Sequence, residues 1–409
     1  MKQSAGFIGQ RLTEARELRG LTAAALSQVI NISRQSVYKY ENGLQSPSEE
    51  TLQRICQELN LPDTFFVSSR LYRHADKTPV FYRSFASTTQ RLRKKAEQKF
   101  NLLKDVVTFL EDYVDFPWVN LPQEDCFVFK NKEELIDITQ TEIESVALKV
   151  RDFWGLGYGP ISNTVWLLEN NGIIIGRCSI NSKSVDAFSQ RLLHRPMVML
   201  NSYKSCARSR FDLAHELGHL IMHRSVEPQW LENKECLKKI EEQANYFAGA
   251  FLFPEPAFKR EVRSASLDLF KNLKRRWNLS IGMMIQRAIQ LDMIPAEEVD
   301  KFWRNYTRRG WRITEPLDNE VPLECPKLLQ AGFNLLLSEG IFSKSMILSA
   351  LNHSSSDIEE VSCLPDHYFK GLDEPKIRLK INDYAEPALE ELLHKVSDNV
   401  VSMARFRKS

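Results

Sequence analysis

The chain has 409 residues, of which 43% are apolar and 26% charged, with a formal net charge of +2. That length supports two to four domains with real cores, and so balanced a charge excludes a global field that would steer the chain onto nucleic acid. Apolar runs such as Ile173 to Ile175 and Met197 to Leu200 fall far short of the ~20 residues that span a bilayer, and Met1-Lys2-Gln3-Ser4 does not begin a signal peptide, so a cytoplasmic location without a membrane partner is expected.

Residues 8–60 carry helical periodicity in short pieces, punctuated by Gly20, Asn31, Gly43 and Pro47, which predicts a bundle of four or five short helices. Within it, Leu21 to Gly43 reads as helix, tight turn, helix, with Ser33 as the N-cap of the last. That helix is expected to present Arg34, Gln35, Ser36 and Lys39 outward while Val37 faces the bundle. Arg34 and Gln35, at its start, suit base-edge hydrogen bonds, and Ser36 and Lys39 suit phosphates. Tyr40-Glu41-Asn42-Gly43, Ser46-Pro47 and Thr51-Leu52 resemble the XRE-type repressor module, and the resemblance implies binding to double-stranded DNA. Ala23 stands where that family often has a phosphate-binding Gln, which lowers the expected affinity and gives a homodimer, or the basic stretch Arg91 to Lys99, a part in binding. The competing reading is a module that docks protein only.

The stretch from Arg70 to Lys104, with Arg91, Arg93, Lys94, Lys95 and Lys99 close together, reads as a linker running into a connecting amphipathic helix. Beyond Pro117, helical pieces alternate with strand-like runs at Gly172 to Gly176 and Pro196 to Leu200, the pattern of an α+β domain. Seven cysteines, Cys56, Cys126, Cys178, Cys206, Cys236, Cys325 and Cys363, occur singly, which argues against a disulfide framework and against a thiolate metal site.

His215-Glu216-Leu217-Gly218-His219 lies in a segment, about Ser209 to Met222, that should be helical. Four residues advance a helix by about 400°, so the two imidazoles leave one face a turn apart and can share an ion. Glu216 then lies beside them, where a carboxylate can carry a proton from an attacking water to a leaving amine. A catalytic zinc ion needs a third protein ligand. Glu241 is the leading candidate, with Asn245 one turn on as a hydrogen-bonding support and Glu242 as the fallback. His223 is the rival, but it stands about 12 Å along the axis from His215, so it reads as packing or as support behind the ligands rather than as a ligand. The longer metzincin pattern fails at Met222 and Ser225.

Arg208 to His219, followed by Glu241, Ala244-Asn245, Phe247-Ala248 and Phe253-Pro254, resembles the ImmA/IrrE family of metallopeptidases. The likeness runs from about Asp152 to Ile294 and includes Trp154 to Ile161 and Asp186-Ala187-Phe188-Ser189. It implies that His215, His219 and Glu241 bind zinc, that Glu216 is the general base and acid, and that the substrate is a dedicated protein partner, typically a helix-turn-helix repressor. The strand at Val198-Met199-Leu200 is the expected sheet edge for an extended substrate. Tyr203, Arg208 and Arg210 read as structural rather than oxyanion-binding. From Ala257 onward the pattern is mostly helical, broken at Glu315 to Pro326, and its chemistry is not legible.

The expected architecture is multidomain and mainly α: a helix-turn-helix bundle at 1–65, a basic linker and connecting helix at 66–125, an α+β zincin-like metallopeptidase domain of gluzincin type at 126–298, and a C-terminal helical region at 299–409. The expected function is a site-specific zinc endopeptidase coupled to a DNA-binding module, in a stress, mobile-element or phage-response setting. The alternatives are a transcription regulator whose zinc is structural or sensory, and an antitoxin-like module serving a neighbouring toxin.

Overall fold

In the computed structural model the described residues are 6–72, 81–82, 89–122, 131–180, 187–192 and 195–371. Five helices open the chain: α1 (Gly9–Leu18), α2 (Ala23–Val29), α3 (Arg34–Glu41), α4 (Glu49–Leu59) and α5 (Asp63–Val67). Thr22, Ser33 and Ser48 cap α2, α3 and α4 by accepting a backbone N–H with their hydroxyls, as short helices require. Asn31 turns the chain between α2 and α3 at φ 51°, a conformation Asn tolerates better than most residues. Leu12, Leu26, Val37, Ile55, Phe65 and Phe66 form the bundle's core. Gly9 lets α1 lie directly on the end of α3, since a Cβ there would overlap the Tyr40 carbonyl.

Then follow β1 (Phe81–Tyr82), α6 (Gln90–Glu111), α7 (Lys132–Asp137), α8 (Gln140–Phe153), α9 (Thr164–Asn170), β2 (Ile174–Cys178), β3 (Ala187–Leu192), β4 (Arg195–Asn201), α10 (Cys206–Met222), α11 (Pro228–Glu232) and α12 (Lys234–Leu252). The described chain ends with α13 (Glu255–Glu261), α14 (Leu267–Trp277), α15 (Ile281–Gln290), α16 (Ala296–Arg308), α17 (Leu328–Ser338), α18 (Lys344–Leu351) and α19 (Ser355–Val361). The four strands form one sheet in the order β1-β3-β4-β2, with β2 parallel to β4 and the other pairs antiparallel.

Both faces of this sheet are covered, which is why β2 and β4 are buried along their whole length and centre on apolar runs rather than alternating. Ile175, Val198 and Leu200 pack with α8, α10, α12 and α15. Ile174, Met197, Met199 and Phe188 pack on the opposite side with α6 and α17 to α19.

One sequence-based expectation is corrected here. Strand β4 is not an edge: Val198 pairs with Ile175 on one side and Ser189 on the other, so its backbone is already engaged along both margins and has no room for a substrate strand. Helix α6 also packs into the core: Phe100, Leu103, Val106, Val107 and Leu110 are buried against the sheet and the C-terminal helices. The packing likewise crosses residue 298, since Tyr306 of α16 belongs to the same core as α15. The described residues up to Lys370 belong to one compact unit. Among the described residues, no helix is long and apolar enough to cross a membrane.

Candidate metal centre

Helix α10 buries nearly its whole length, with Leu213, Ala214, Leu217 and Ile221 in the core. His215, Glu216 and His219 are completely buried with it. Gly218 brings α12 close, for a Cβ there would stand 3.0 Å from the Phe247 ring. That approach carries Glu241, on α12, to the two histidines. The Nε2 atoms of His215 and His219 are 2.9 Å apart, and the Glu241 carboxylate lies 3.3 Å from the first and 3.6 Å from the second. Among the described residues, these three form a group whose ligand atoms all lie within 4.8 Å of one another.

The outer ring nitrogens are engaged as well. His215 Nδ1 meets Asn245 Oδ1 at 3.1 Å, and because a carbonyl oxygen only accepts, the proton is on Nδ1 and Nε2 presents a lone pair. His219 Nδ1 meets His223 Nδ1 at 2.9 Å, and His223 Nε2 meets Gln243 Oε1 at 3.0 Å. Burial pushes the His223 imidazolium down to about 4, against a smaller upward pull from Gln243, so the ring is neutral near pH 7.

Two ring nitrogens and a carboxylate therefore converge on one spot. Separations of 2.9, 3.3 and 3.6 Å bracket the ~3.3 Å expected between ligands of one tetrahedral zinc ion. Among the described residues, Glu241 Oε1 is buried and receives no hydrogen bond, an arrangement that costs free energy unless a cation compensates it. By charge, donor type and spacing, the three side chains fit a zinc ion.

Glu216 accepts a 2.5 Å hydrogen bond from Ser189 Oγ. Ser189 is fully buried on β3, so a strand remote in sequence holds this carboxylate. Glu242 is exposed and pairs with Lys238 at 3.7 Å, outside the group. His223 touches the outer side of His219, also outside it. Arg210 is spent on Glu324 at 2.5 Å and on the Ile161 carbonyl, Arg208 donates to the Arg312 carbonyl, and Tyr203 is exposed. A cleft of about 530 Å³ is lined by Gln140, Phe211, Asn245, Tyr246 and Met283 among others, and so adjoins the residue that holds His215.

In α3, Arg34, Gln35 and Lys39 are exposed, as their helical spacing implies. Ser36 is half-buried, and its hydroxyl shares a 2.8 Å hydrogen bond with the capping hydroxyl of Ser33, so it serves the helix start rather than projecting freely. Tyr38, 60% exposed on the same helix, escaped the sequence reading because an aromatic at that spacing resembles core.

Ser189 and Gln243 are the site residues that motif spacing misses. Ser189 lies in the segment resembling the ImmA/IrrE family, which was the only available signal for it.

Comparison with known proteins places two segments. Residues 12–66 match the family HTH_3, helix-turn-helix, and residues 168–288 match Peptidase_M78, the IrrE N-terminal-like domain. The N-terminal part is similar to "Antitoxin PezA" of Streptococcus pneumoniae serotype 4, at 37% identity over 55 residues, 13% of this chain and 35% of that protein. This chain thus spans about a third of that relative's length. Among solved structures, a Mycobacterium tuberculosis transcriptional regulator matches at 18% identity and a TM-score of 0.28, over 38% of this chain and 51% of that one. Bacillus thuringiensis PlcR, solved with the peptide PapR7 and DNA, matches at 13% identity and a TM-score of 0.14, over 76% of this chain and 98% of that one. Likeness at such scores carries no functional weight.

Proposed function

We propose that this chain is a cytoplasmic, site-specific zinc metalloendopeptidase joined to a DNA-binding module, and that it cleaves a partner repressor or regulatory protein in a stress, mobile-element or phage-response circuit. The observation that carries this is the convergence of His215, His219 and Glu241 from α10 and α12, with Glu216 on the same helix, inside the segment that matches the peptidase family. The N-terminal match to a helix-turn-helix family supports the other half, with Arg34, Gln35 and Lys39 exposed on α3 to meet double-stranded DNA. A homodimer would present two such helices to paired half-sites.

His215, His219 and Glu241 would hold the metal, which when bound supplies Lewis acidity toward the scissile carbonyl and toward water. Asn245 and His223 hold the two rings by their outer nitrogens. Glu216 takes a proton as the water oxygen bonds to the carbonyl carbon, and delivers it to the amine nitrogen as the C–N bond breaks. Ser189 fixes one oxygen of that carboxylate, so the proton is handled at a defined place.

The test is metal content together with the cellular abundance of candidate repressors, in wild type and Glu216→Gln. Stoichiometric zinc in both, with one repressor lost only in wild type, is the expected outcome. The complete burial of His215, Glu216 and His219 favours a second reading, a regulator whose zinc is structural or sensory. Under that reading both proteins hold zinc, and Glu216→Gln changes neither repressor abundance nor phenotype.

A further inference from the structure

We propose that His223 and Gln243 form a positioning relay that dictates which nitrogen of His219 carries its proton, and so prepares the metal site from outside it. The inference rests on the zinc reading above and concerns residues that do not belong to the ligand group.

The relay starts at a backbone carbonyl. Leu135 lies in α7, with its side chain in a small core formed with Val226, Cys236 and Ile240, so its carbonyl oxygen is held in place. Gln243 Nε2 donates to that oxygen at 2.5 Å. A carbonyl cannot donate, so the amide nitrogen of Gln243 must face Leu135 and its oxygen must face His223. His223 Nε2, 3.0 Å from that oxygen, therefore carries the proton. A fully buried imidazole is neutral, which leaves His223 Nδ1 as an acceptor. His219 Nδ1, 2.9 Å away, must then be the donor, and the lone pair of His219 falls on Nε2, the atom beside His215 and Glu241. The first two links admit only one direction of donation, and the third follows because His223, wholly shut off from solvent, is held uncharged.

Zinc binds the unprotonated nitrogen. Without the relay, His219 would divide between two tautomers and present the wrong one part of the time. Outer partners of this kind are worth about 10–100-fold in metal affinity.

The test uses the full chain and zinc itself, with affinity measured by chelator competition. His223→Leu removes the acceptor and should weaken zinc binding by about 10–100-fold. His223→Asn keeps a carbonyl oxygen at the position of Nδ1 along the side chain and should recover most of that loss, which a packing role alone would not allow. Long-range ¹H–¹⁵N spectra of the metal-free wild type should show His219 protonated at Nδ1. A His223→Leu protein that binds zinc as tightly as wild type, a His223→Asn protein as weak as His223→Leu, or His219 protonated at Nε2 would each overturn the relay. Should His223→Leu fail to fold, the spectrum and His223→Asn still decide. If wild type takes up no zinc, the metal reading falls, while the tautomer spectrum still decides the relay.

Discussion

Glu216 is the residue on which the peptidase reading turns, and a hydrogen bond from a strand helps to fix its position. Ser189→Ala deletes that donor without opening a large cavity. A hydrogen bond to a charged group contributes about 1.5–3 kcal/mol, so kcat should fall by about 10–100-fold with zinc content unchanged, measured on the identified substrate. An unchanged kcat would mean that Glu216 is held by other means. The contrast with Glu216→Gln is informative, since that change removes the proton carrier itself and should abolish turnover while the metal stays bound. At this scale the two histidines were legible from sequence because i and i+4 are neighbours on any helix. Ser189 was not, because its meeting with Glu216 depends on how β3 packs over α10, 27 residues away in the chain.

Among the elements, α3 and α6 show opposite fates for basic residues. Lys39 and Arg34 of α3 remain exposed, whereas on α6 Lys94 pairs with Glu17 at 2.6 Å and Lys99 is buried between Asp357 and Glu360. The buried Lys99 holds the molecule together and is withdrawn from the surface, whereas Lys94 keeps a side chain 44% exposed beside Glu17. Lys39→Ala should therefore lower the slope of log K against log salt by about 1 for double-stranded DNA, weakening all sequences alike. An unchanged slope would remove Lys39 from the phosphate contacts. Sequence periodicity identified α6 as amphipathic, but a helix that buries Leu102, Leu103, Val106 and Val107 reads the same whether it crosses a gap or fills a core. Only the presence of α17 to α19 against the same face of the sheet separates the two cases.

At the scale of the whole molecule, the helix-turn-helix bundle is joined to the rest by buried charge. Arg19 meets Asp357 at 2.6 Å, and Lys99 meets Asp357 at 2.7 Å and Glu360 at 2.6 Å. Glu360 also accepts from the Ser179 N–H, just beyond β2. Burial opposes ionisation of Asp357, but Arg19 and Lys99 more than offset it and hold the carboxyl well below the usual range. Removing one partner leaves uncompensated buried charge, so Lys99→Met should destabilise the chain by about 3–5 kcal/mol in denaturant unfolding. A loss below about 0.5 kcal/mol, the size of an ordinary surface change, would refute this coupling. The same junction holds His353, set edge-on to Phe65 at 4.9 Å. Burial, with the charge of Arg11 adding to it, pushes its imidazolium down to about 3. A depressed value means that its stabilising effect is complete above the unfolded value of about 6.5 and is lost as pH falls toward 3. His353→Phe should accordingly flatten the fall of Tm between pH 6 and 4, and equal slopes in the two proteins would show that His353 does not contribute.

What the amino-acid order determined by itself was local: helices, their caps, the turn at Asn31, and the placing of His215, Glu216 and His219 on one stretch of helix. The two recognisable segments, 12–66 and 168–288, are legible for the same reason, since their signals sit within a few turns of one another. Packing decided the rest. It placed β4 inside the sheet, turned α6 into core, brought Glu241 from α12 to the histidines, and linked Leu135, Gln243 and His223 across 108 residues of chain. Those pairings depend on complementary surfaces meeting in space, and no periodicity along a single helix or strand encodes which surfaces will meet.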